Sequence, residues 1–270
     1  MSFELGQATL VTDPARVAMI SRAFRKTGKE VVLVPLGVDI HAGQVALLRA
    51  ARAIRGAVVI AAMPTGADSP DGVRATLAEE HADVLWSYTP HDTRTQVMPE
   101  DHGLEPVESL ARELTALLRL VGTAAPTHLI LGEKDYELLA AVNRAVYDLA
   151  LPVRVQGVPT VRMPDGLAIS LRNSAVAESA RSAASALSAA LTAGAHAAEA
   201  GEDAVVEAAR AVLAAAGVEP EYVALRGLDL GPAPEQGDAR LLIAATIGGV
   251  RLIDNVGVPV GIGFRNLQAD

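Results

Sequence analysis

The chain of 270 residues contains no cysteine and very few aromatic side chains, and both shortages limit what it can be. Without cysteine it forms no disulfide, and it has no thiolate to act as a nucleophile or a metal ligand. Aromatic residues make up 3% of a chain that is 50% hydrophobic, so aliphatic side chains and alanine must fill the core. Such a core suits helices packed closely on a buried sheet of valine, isoleucine and leucine.

Charge and the length of hydrophobic runs exclude further classes of protein. The net charge of −9 argues against a general nucleic-acid binder, because affinity for phosphates comes mainly from lysine and arginine. The first residues, MSFELGQATLVTDPARV, contain no apolar run, so we expect no signal peptide. No stretch of about 18 apolar residues occurs, as a membrane-spanning helix would need. We therefore expect a soluble, cytoplasmic protein that binds neither nucleic acid nor membrane.

Buried strands alternate with helices through the first part of the chain. Apolar runs without polar alternation predict strands that are covered on both faces, at residues 30–37, 56–64, 83–90 and 127–131. Apolar residues at helical spacing predict helices between and after them, at residues 42–54, 105–121 and 136–150. This alternation indicates an α/β fold with a doubly wound parallel sheet.

The pattern changes after residue 173. Two alanine-rich helices are followed there by strands, and these elements occupy residues 174–217, 221–230 and 239–255. Helices followed by strands indicate a small α+β domain rather than a continuation of the parallel sheet. We therefore expect two domains, residues 1–160 and residues 161–270.

Three polar segments would meet beyond the carboxyl ends of the parallel strands, where open α/β sheets bind their ligands. They are VPLGVDIHAGQ at residues 34–44, GEKDY at residues 132–136 and GVPTVRMPDGLAISLRN at residues 157–173. Taken alone, a single histidine such as His41 is more often a helix cap than a catalyst. A charged turn around Lys134 likewise needs no ligand to explain it.

The stretch from Gly132 to Asn173 nevertheless resembles the core of the pantothenate synthetases, which use ATP to join pantoate to β-alanine through an acyl-adenylate. VPLGVDIHAGQ lies where that family has a VPTMGALHEGH-type segment with its HxGH motif. The resemblance implies a Rossmann-like nucleotidyltransferase fold of the HIGH type with a small C-terminal domain. It also implies a homodimer. Mg²⁺ would arrive with the ATP phosphates, and no metal site built from protein ligands is expected.

The resemblance assigns roles to individual residues. Groups that stabilise charge during adenylation would be His41, Lys134, Ser170 and Arg172. Residues that bind ATP would be Pro35, Gly43, Gln44, Gly132, Asp135, Thr160, Val161 and Ile169. The acid substrate would lie against Gly37 and Leu138. These types suit the task, since helix N-termini and arginine side chains bind phosphates well.

Several positions depart from the family pattern. The second histidine of the HxGH motif is Gln44, which can donate a hydrogen bond but cannot carry charge, and one serine of the family's usual pair is Leu171. At the acid site, a methionine is replaced by Gly37 and a glutamine by Leu138, and residues 61–70 contain neither asparagine nor glutamine. Each buried polar group of pantoate left unpaired would cost about 1–3 kcal/mol. These departures predict poor pantoate binding.

Two hypotheses therefore remain open. The first is an ATP-dependent acid–amine ligase, with an amine such as β-alanine and with either pantoate or a less polar acid as its substrates. The second is a catalytically impaired paralogue that binds nucleotide and serves as a regulatory or structural subunit of an active synthetase. In that case a heterodimer would replace the homodimer.

Overall fold

A computed structural model describes residues 4–66 and 70–261 of the chain. The chain separates into two compact units: Met1–Glu133 with Ala141–Thr160, and Lys134–Ala140 with Val161–Asp270. The two domains expected from the sequence, residues 1–160 and residues 161–270, remain a prediction. The spatial units differ from them because Lys134–Ala140 group with the second unit.

Within the described part of the first unit, six parallel strands form one sheet in the order β1-β4-β3-β2-β5-β6. Their bounds are Thr9–Val11 (β1), Val31–Pro35 (β2), Val58–Pro64 (β3), Val84–Tyr88 (β4), His128–Gly132 (β5) and Arg154–Val158 (β6). The middle strands are almost wholly buried, as expected of a parallel sheet with both faces covered. The predicted doubly wound α/β fold is confirmed, although β1 was not foreseen.

Five helices connect these strands along the described chain. They are Pro14–Lys26 (α1), Ala42–Ala53 (α2), Pro70–Glu79 (α3), Val107–Ala124 (α4) and Tyr136–Asp148 (α5). Their ends follow ordinary capping rules: the Asp13 side chain accepts from the Ala15 N–H, and Pro14 occupies the first turn. The apolar stripe predicted for α4 is buried at Leu110, Leu114 and Val121.

The strand order reverses between β2 and β5. These strands are far apart in sequence but pair in parallel, with Val32 opposite His128 and Leu33 opposite Leu129. On its other side β2 pairs with β3, so successive crossovers run in opposite directions from β2. The carboxyl ends of β2 and β5 therefore form the switch point at which such sheets bind ligands.

The second unit contains a small antiparallel sheet with helices packed on it. In its described residues the strand order is β7-β8-β9, and the elements are Leu171–Ser174 (α6), Arg181–His196 (α7), Glu202–Ala215 (α8), Pro220–Gly227 (β7), Gly237–Ile247 (β8) and Val250–Val260 (β9). Its core is aliphatic, with Leu187, Leu213 and Leu241 fully buried. This agrees with the α+β character that the sequence predicts.

The strand region predicted at residues 239–255 contains two strands in the structure, which form a hairpin. β8 and β9 are joined at Gly248 and Gly249, whose φ angles are 58° and 79°. Positive φ at both central residues is what a two-residue hairpin turn of type I′ requires, and glycine adopts it without strain. No helix in the described residues is long and apolar enough to cross a membrane.

A buried carboxylate binds three segments of the first unit: helix α2, strand β3 and the loop before β1. Asp83, just before β4, has a side chain that is only 2% exposed, and it accepts hydrogen bonds from the Gly6 and Val59 N–H groups, both at 2.7 Å. Its second oxygen also accepts from Arg52 Nη1 of α2 at 2.9 Å. In these three hydrogen bonds the partner is the donor, so both oxygens of Asp83 serve as acceptors.

We expect Asp83→Asn to lower the free energy of unfolding by about 3 kcal/mol, as removal of one partner of a buried ion pair does. The amide would leave Arg52 without its counter-charge and would turn an N–H₂ group toward other donors. Urea denaturation measures the change.

Glu80→Gln is the matched control, because Arg49 of the same helix α2 pairs with Glu80 while remaining 70% exposed. The Arg49 hydrogen bond lowers the pKa of Glu80, so the stabilisation is present near neutral pH and is lost as the pH falls through that lowered pKa. An exposed pair contributes little, and we expect a much smaller loss than for Asp83→Asn. Equal losses in the two variants would contradict this interpretation.

Candidate active site

The loop after β2 carries the first part of the candidate site. It leads to α2, whose N-cap residue is His41, with extended backbone angles of φ −121° and ψ 172°. The His41 carbonyl accepts from the N–H groups of Gln44 at 2.9 Å and Val45 at 3.1 Å. The first turn of an α-helix has backbone N–H groups without intrahelical acceptors and a positive dipole end. The helix start that includes Gly43 therefore has the chemistry of a phosphate-binding end.

Parallel pairing brings further predicted residues to this same edge of the first unit. Pro35 ends β2 and Gly132 ends β5, its neighbour in the sheet. Gly132 pairs in turn with Val158 of β6, two residues before Thr160. The first unit thus brings Pro35, His41, Gly43, Gly132 and Thr160 to the carboxyl edge of three adjacent strands.

Thr160 carries a polar group at this edge of the sheet. Its Oγ1 is buried and makes no hydrogen bond to any residue that the structure describes. A buried hydroxyl left without a partner costs free energy, so such groups are usually satisfied by water or by a ligand. Thr160 is one of the residues that the family resemblance places beside ATP.

Gln44 uses its side chain inside the β2–α2 loop. It is 9% exposed, and its amide is satisfied when Oε1 accepts from the Gly37 N–H at 2.6 Å and Nε2 donates to the Asp39 carbonyl. A Cβ atom at position 37 would lie 3.0 Å from this amide. Gly37 and Gln44 are therefore coupled: the small residue leaves room for the side chain that holds the loop.

The second unit carries the other predicted residues. Lys134 and Asp135 lie in the 3₁₀ turn Glu133–Asp135, with Lys134 Nζ 3.8 Å from Asp135 Oδ1. The Lys134 side chain is only 13% exposed, whereas that of Asp135 is 51% exposed. Leu138 follows on α5 and is partly buried.

The remaining predicted residues of the second unit lie around a short β-bridge between Arg162 and Ala168. The Ile169 N–H donates to the Val161 carbonyl at 2.9 Å, which brings these two predicted ATP contacts together. Ser170 follows and is partly buried, whereas Arg172 is exposed in the short helix α6. The assignment of the residues in both units to one ATP molecule remains a prediction.

A polar network in the second unit supports the turn that carries Lys134, and sequence reasoning missed most of it. Asn255 Nδ2 donates to the Lys134 carbonyl at 2.8 Å, and Arg240 Nε donates to Asn255 Oδ1 at 2.7 Å. Arg162 forms a two-bond ion pair with Asp254 at 2.6 and 2.9 Å. The available signal was the acid–amide pair that interrupts the apolar run of β9.

Among the described residues, no group of three or more histidine, aspartate or glutamate side chains could hold a metal ion. The segment that the resemblance places at the acid site is residues 61–70. Of these, residues 67–69 lie outside the part of the chain that the structure describes. Its described residues include the end of β3.

Comparison with known proteins shows the family. The model of the pantoate-beta-alanine ligase family matches residues 103–257, more than half of the chain. The chain belongs to this family. The match begins after β2 and α2, so the loop with Gly37, His41 and Gln44 lies outside the part that fits the family model.

Relatives of the pantoate-beta-alanine ligase family cover nearly the whole chain. A pantothenate synthetase of Corynebacterium jeikeium is 40% identical over 99% of this chain and 95% of its own length. One of Rhodococcus jostii is 42% identical over 99% of this chain and 93% of its own. The prediction that the chain is an enzyme of the ligase type is confirmed.

Solved structures agree with this assignment. Pantothenate synthetase of Thermus thermophilus superposes with a TM-score of 0.79 at 29% identity, covering 92% of this chain and 98% of that one. The pantoate-beta-alanine ligase of Francisella tularensis, solved with β,γ-ATP and β-alanine, gives a TM-score of 0.69 at 21% identity, covering 92% and 97%. The latter match shows the shared fold alone.

We expect Gly37→Ala to lower the free energy of unfolding by about 1 kcal/mol, because the new Cβ displaces the Gln44 amide from at least one hydrogen bond. In a Gln44→Ala background the same change should cost clearly less. Urea denaturation of the wild type, the two single variants and the double variant gives the coupling energy between Gly37 and Gln44. Gly122→Ala on α4 is the control, since its added Cβ meets nothing within 4 Å. Additive losses from Gly37→Ala and Gln44→Ala would contradict the coupling.

Proposed function

We propose that the chain catalyses the ATP-dependent condensation of pantoate with β-alanine to pantothenate. The observation that carries this proposal is the identity of 40–42% with pantothenate synthetases over 99% of the chain. Homologous sequence over this length supports a shared reaction better than fold likeness does, because one fold serves many chemistries.

The proposed reaction has two steps and needs no protein nucleophile. The pantoate carboxylate attacks the α-phosphorus of ATP, pyrophosphate leaves, and a pantoyl-adenylate forms. The neutral amine of β-alanine then attacks the acyl carbon, AMP leaves, and the amine loses a proton as the amide forms. ATP would bring Mg²⁺ on its phosphates. The enzyme's contribution is to position the reactants and to stabilise charge that develops on the phosphates.

We assign the charge-stabilising roles to His41, Lys134, Ser170 and Arg172. Lysine and arginine remain charged at neutral pH and donate several hydrogen bonds to phosphate oxygens. The start of α2, with Gly43, would add backbone N–H groups. The low exposure of Lys134 favours this role, because an ion pair in a poorly solvated place is stronger than one in water.

The remaining ATP contacts are proposed on the family resemblance and the local geometry. They are Pro35, Gly132, Asp135, Thr160, Val161 and Ile169. The buried Thr160 hydroxyl and the hydrogen bond between Ile169 and Val161 support three of these assignments. Gln44 was also assigned to the ATP site; we propose that it acts there through the loop shape that its amide maintains.

A second candidate is the same ligase chemistry with an acid less polar than pantoate. Two residues favour it: Gly37 offers no side chain to the acid, and the partly buried Leu138 offers only an apolar one. Pantoate remains the first choice because the full-length relatives are pantothenate synthetases. A homodimer and a cytoplasmic location are also proposed. The assay must also exclude the hypothesis that the chain is an inactive partner of an active synthetase.

Purified protein with ATP, Mg²⁺ and β-alanine should release pyrophosphate when pantoate is added, and Lys134→Met should lower the rate at least tenfold. The reason is that methionine preserves the length of the side chain but removes its charge. The control is Lys26→Met, at an exposed position near the end of α1. Continuous pyrophosphate detection across a panel of hydroxy and unsubstituted acids gives the measurement.

Each outcome of this assay points to one hypothesis. Release with pantoate supports the proposed reaction, and release only with a less polar acid supports the second candidate. No release with any acid, although ATP binds by calorimetry, would contradict both and favour the inactive partner.

A further inference from the structure

Asn255 connects the central antiparallel sheet of the second unit to the turn that carries Lys134. It lies on β9, is 3% exposed, and its Nδ2 donates to the main-chain carbonyl of Lys134 at 2.8 Å. The residues are 121 positions apart in sequence, so this bond fixes a turn to a distant strand. A buried amide in such a place is costly unless both of its ends are paired.

Both ends of the Asn255 side chain are paired. Arg240 Nε on β8 donates to Oδ1 at 2.7 Å, which determines the orientation of the amide and directs Nδ2 to the Lys134 carbonyl. The Arg240 guanidinium also lies 4.3 Å from the centre of the Tyr136 ring, at the start of α5. Arg240 therefore contacts both Asn255, which binds the turn, and Tyr136, which directly follows it.

The neighbouring residues keep Asn255 itself in place. The Asn255 N–H donates to Asp254 Oδ1 at 2.8 Å, and Arg162 binds both oxygens of Asp254. Arg162 also donates to the Asn255 carbonyl at 3.3 Å. The main chain at residue 255 is thus fixed independently of its side chain, so a change of the side chain alone can be tested.

We propose that Asn255 and Arg240 are positioning residues for Lys134, and this proposal rests on the proposed adenylation chemistry. The Lys134 carbonyl carbon is bonded to the Cα from which the side chain extends, so a hydrogen bond to the carbonyl restrains the point from which the ammonium group reaches its ligand. Small displacements of a phosphate-binding group are expensive in rate. Through these hydrogen bonds the sheet restricts the movement of a turn that lies outside the sheet.

Asn255→Asp separates positioning from folding. The carboxylate has the shape of the amide and still accepts from Arg240, now as an ion pair, but it has no N–H for the Lys134 carbonyl and repels it instead. Arg251→Ala is the matched control on the same strand, because it removes an ion pair with Glu221 at 2.6 Å. Arg240→Leu tests the second positioning residue.

We expect Asn255→Asp to lower kcat/KM for ATP about tenfold, the effect of about one lost hydrogen bond with a partner left unpaired. KM for β-alanine should stay within about twofold, since the second step takes place after pyrophosphate has left. Hydrogen exchange in the peptide containing residues 132–140 should become faster. Arg240→Leu should also lower kcat/KM for ATP and make hydrogen exchange in this peptide faster. Arg251→Ala should change neither kcat/KM for ATP nor the exchange.

The two readouts distinguish the possible failures. If the wild type is active and Asn255→Asp keeps its kcat/KM for ATP, the positioning role is overturned, whether or not exchange becomes faster. If KM for β-alanine rises as much as kcat/KM for ATP falls, the defect is a general structural one and the proposal also fails. If the wild type releases no pyrophosphate with any acid, the proposed function fails. Unchanged exchange in Asn255→Asp would then overturn the structural part of the proposal as well.

Discussion

The parallel pairing of β2 with β5 is the constraint on which the rest of the candidate site in the first unit depends. It brings the start of α2 and Gly132, which are about 90 residues apart in sequence, to one edge of the sheet. Because β6 pairs with β5, Thr160 reaches the same edge. Sheet topology thus places a helix N-terminus, a glycine and a buried hydroxyl at the edge where we propose that ATP binds.

Two of the departures that the resemblance implies, Gly37 and Gln44, contact each other in the structure. The resemblance implies a methionine and a histidine where this chain has Gly37 and Gln44. In the structure the amide of Gln44 occupies the space beside Gly37 and accepts a hydrogen bond from its N–H. A buried amide that pairs with loop backbone stabilises the loop without adding charge.

The sequence predicted most of the fold because parallel strands buried on both faces appear as unbroken apolar runs. It missed β1, which has only three residues, and the β8–β9 turn, where two glycines were absorbed into one long apolar run. At the site, the resemblance supplied the residues that would touch substrate. It could not supply Asn255 or Arg240, whose partners are distant in sequence and include a main-chain carbonyl, because backbone partners have no sequence pattern of their own.

The most direct test of the proposed acyl-adenylate chemistry is the exchange of labelled pyrophosphate into ATP, measured without any amine. An enzyme that forms an acyl-adenylate reversibly catalyses this exchange as soon as its acid is present, before the second step begins. We predict exchange that depends on pantoate and on Mg²⁺ and that needs no β-alanine. Exchange that fails with pantoate, in protein that binds ATP, would contradict the account.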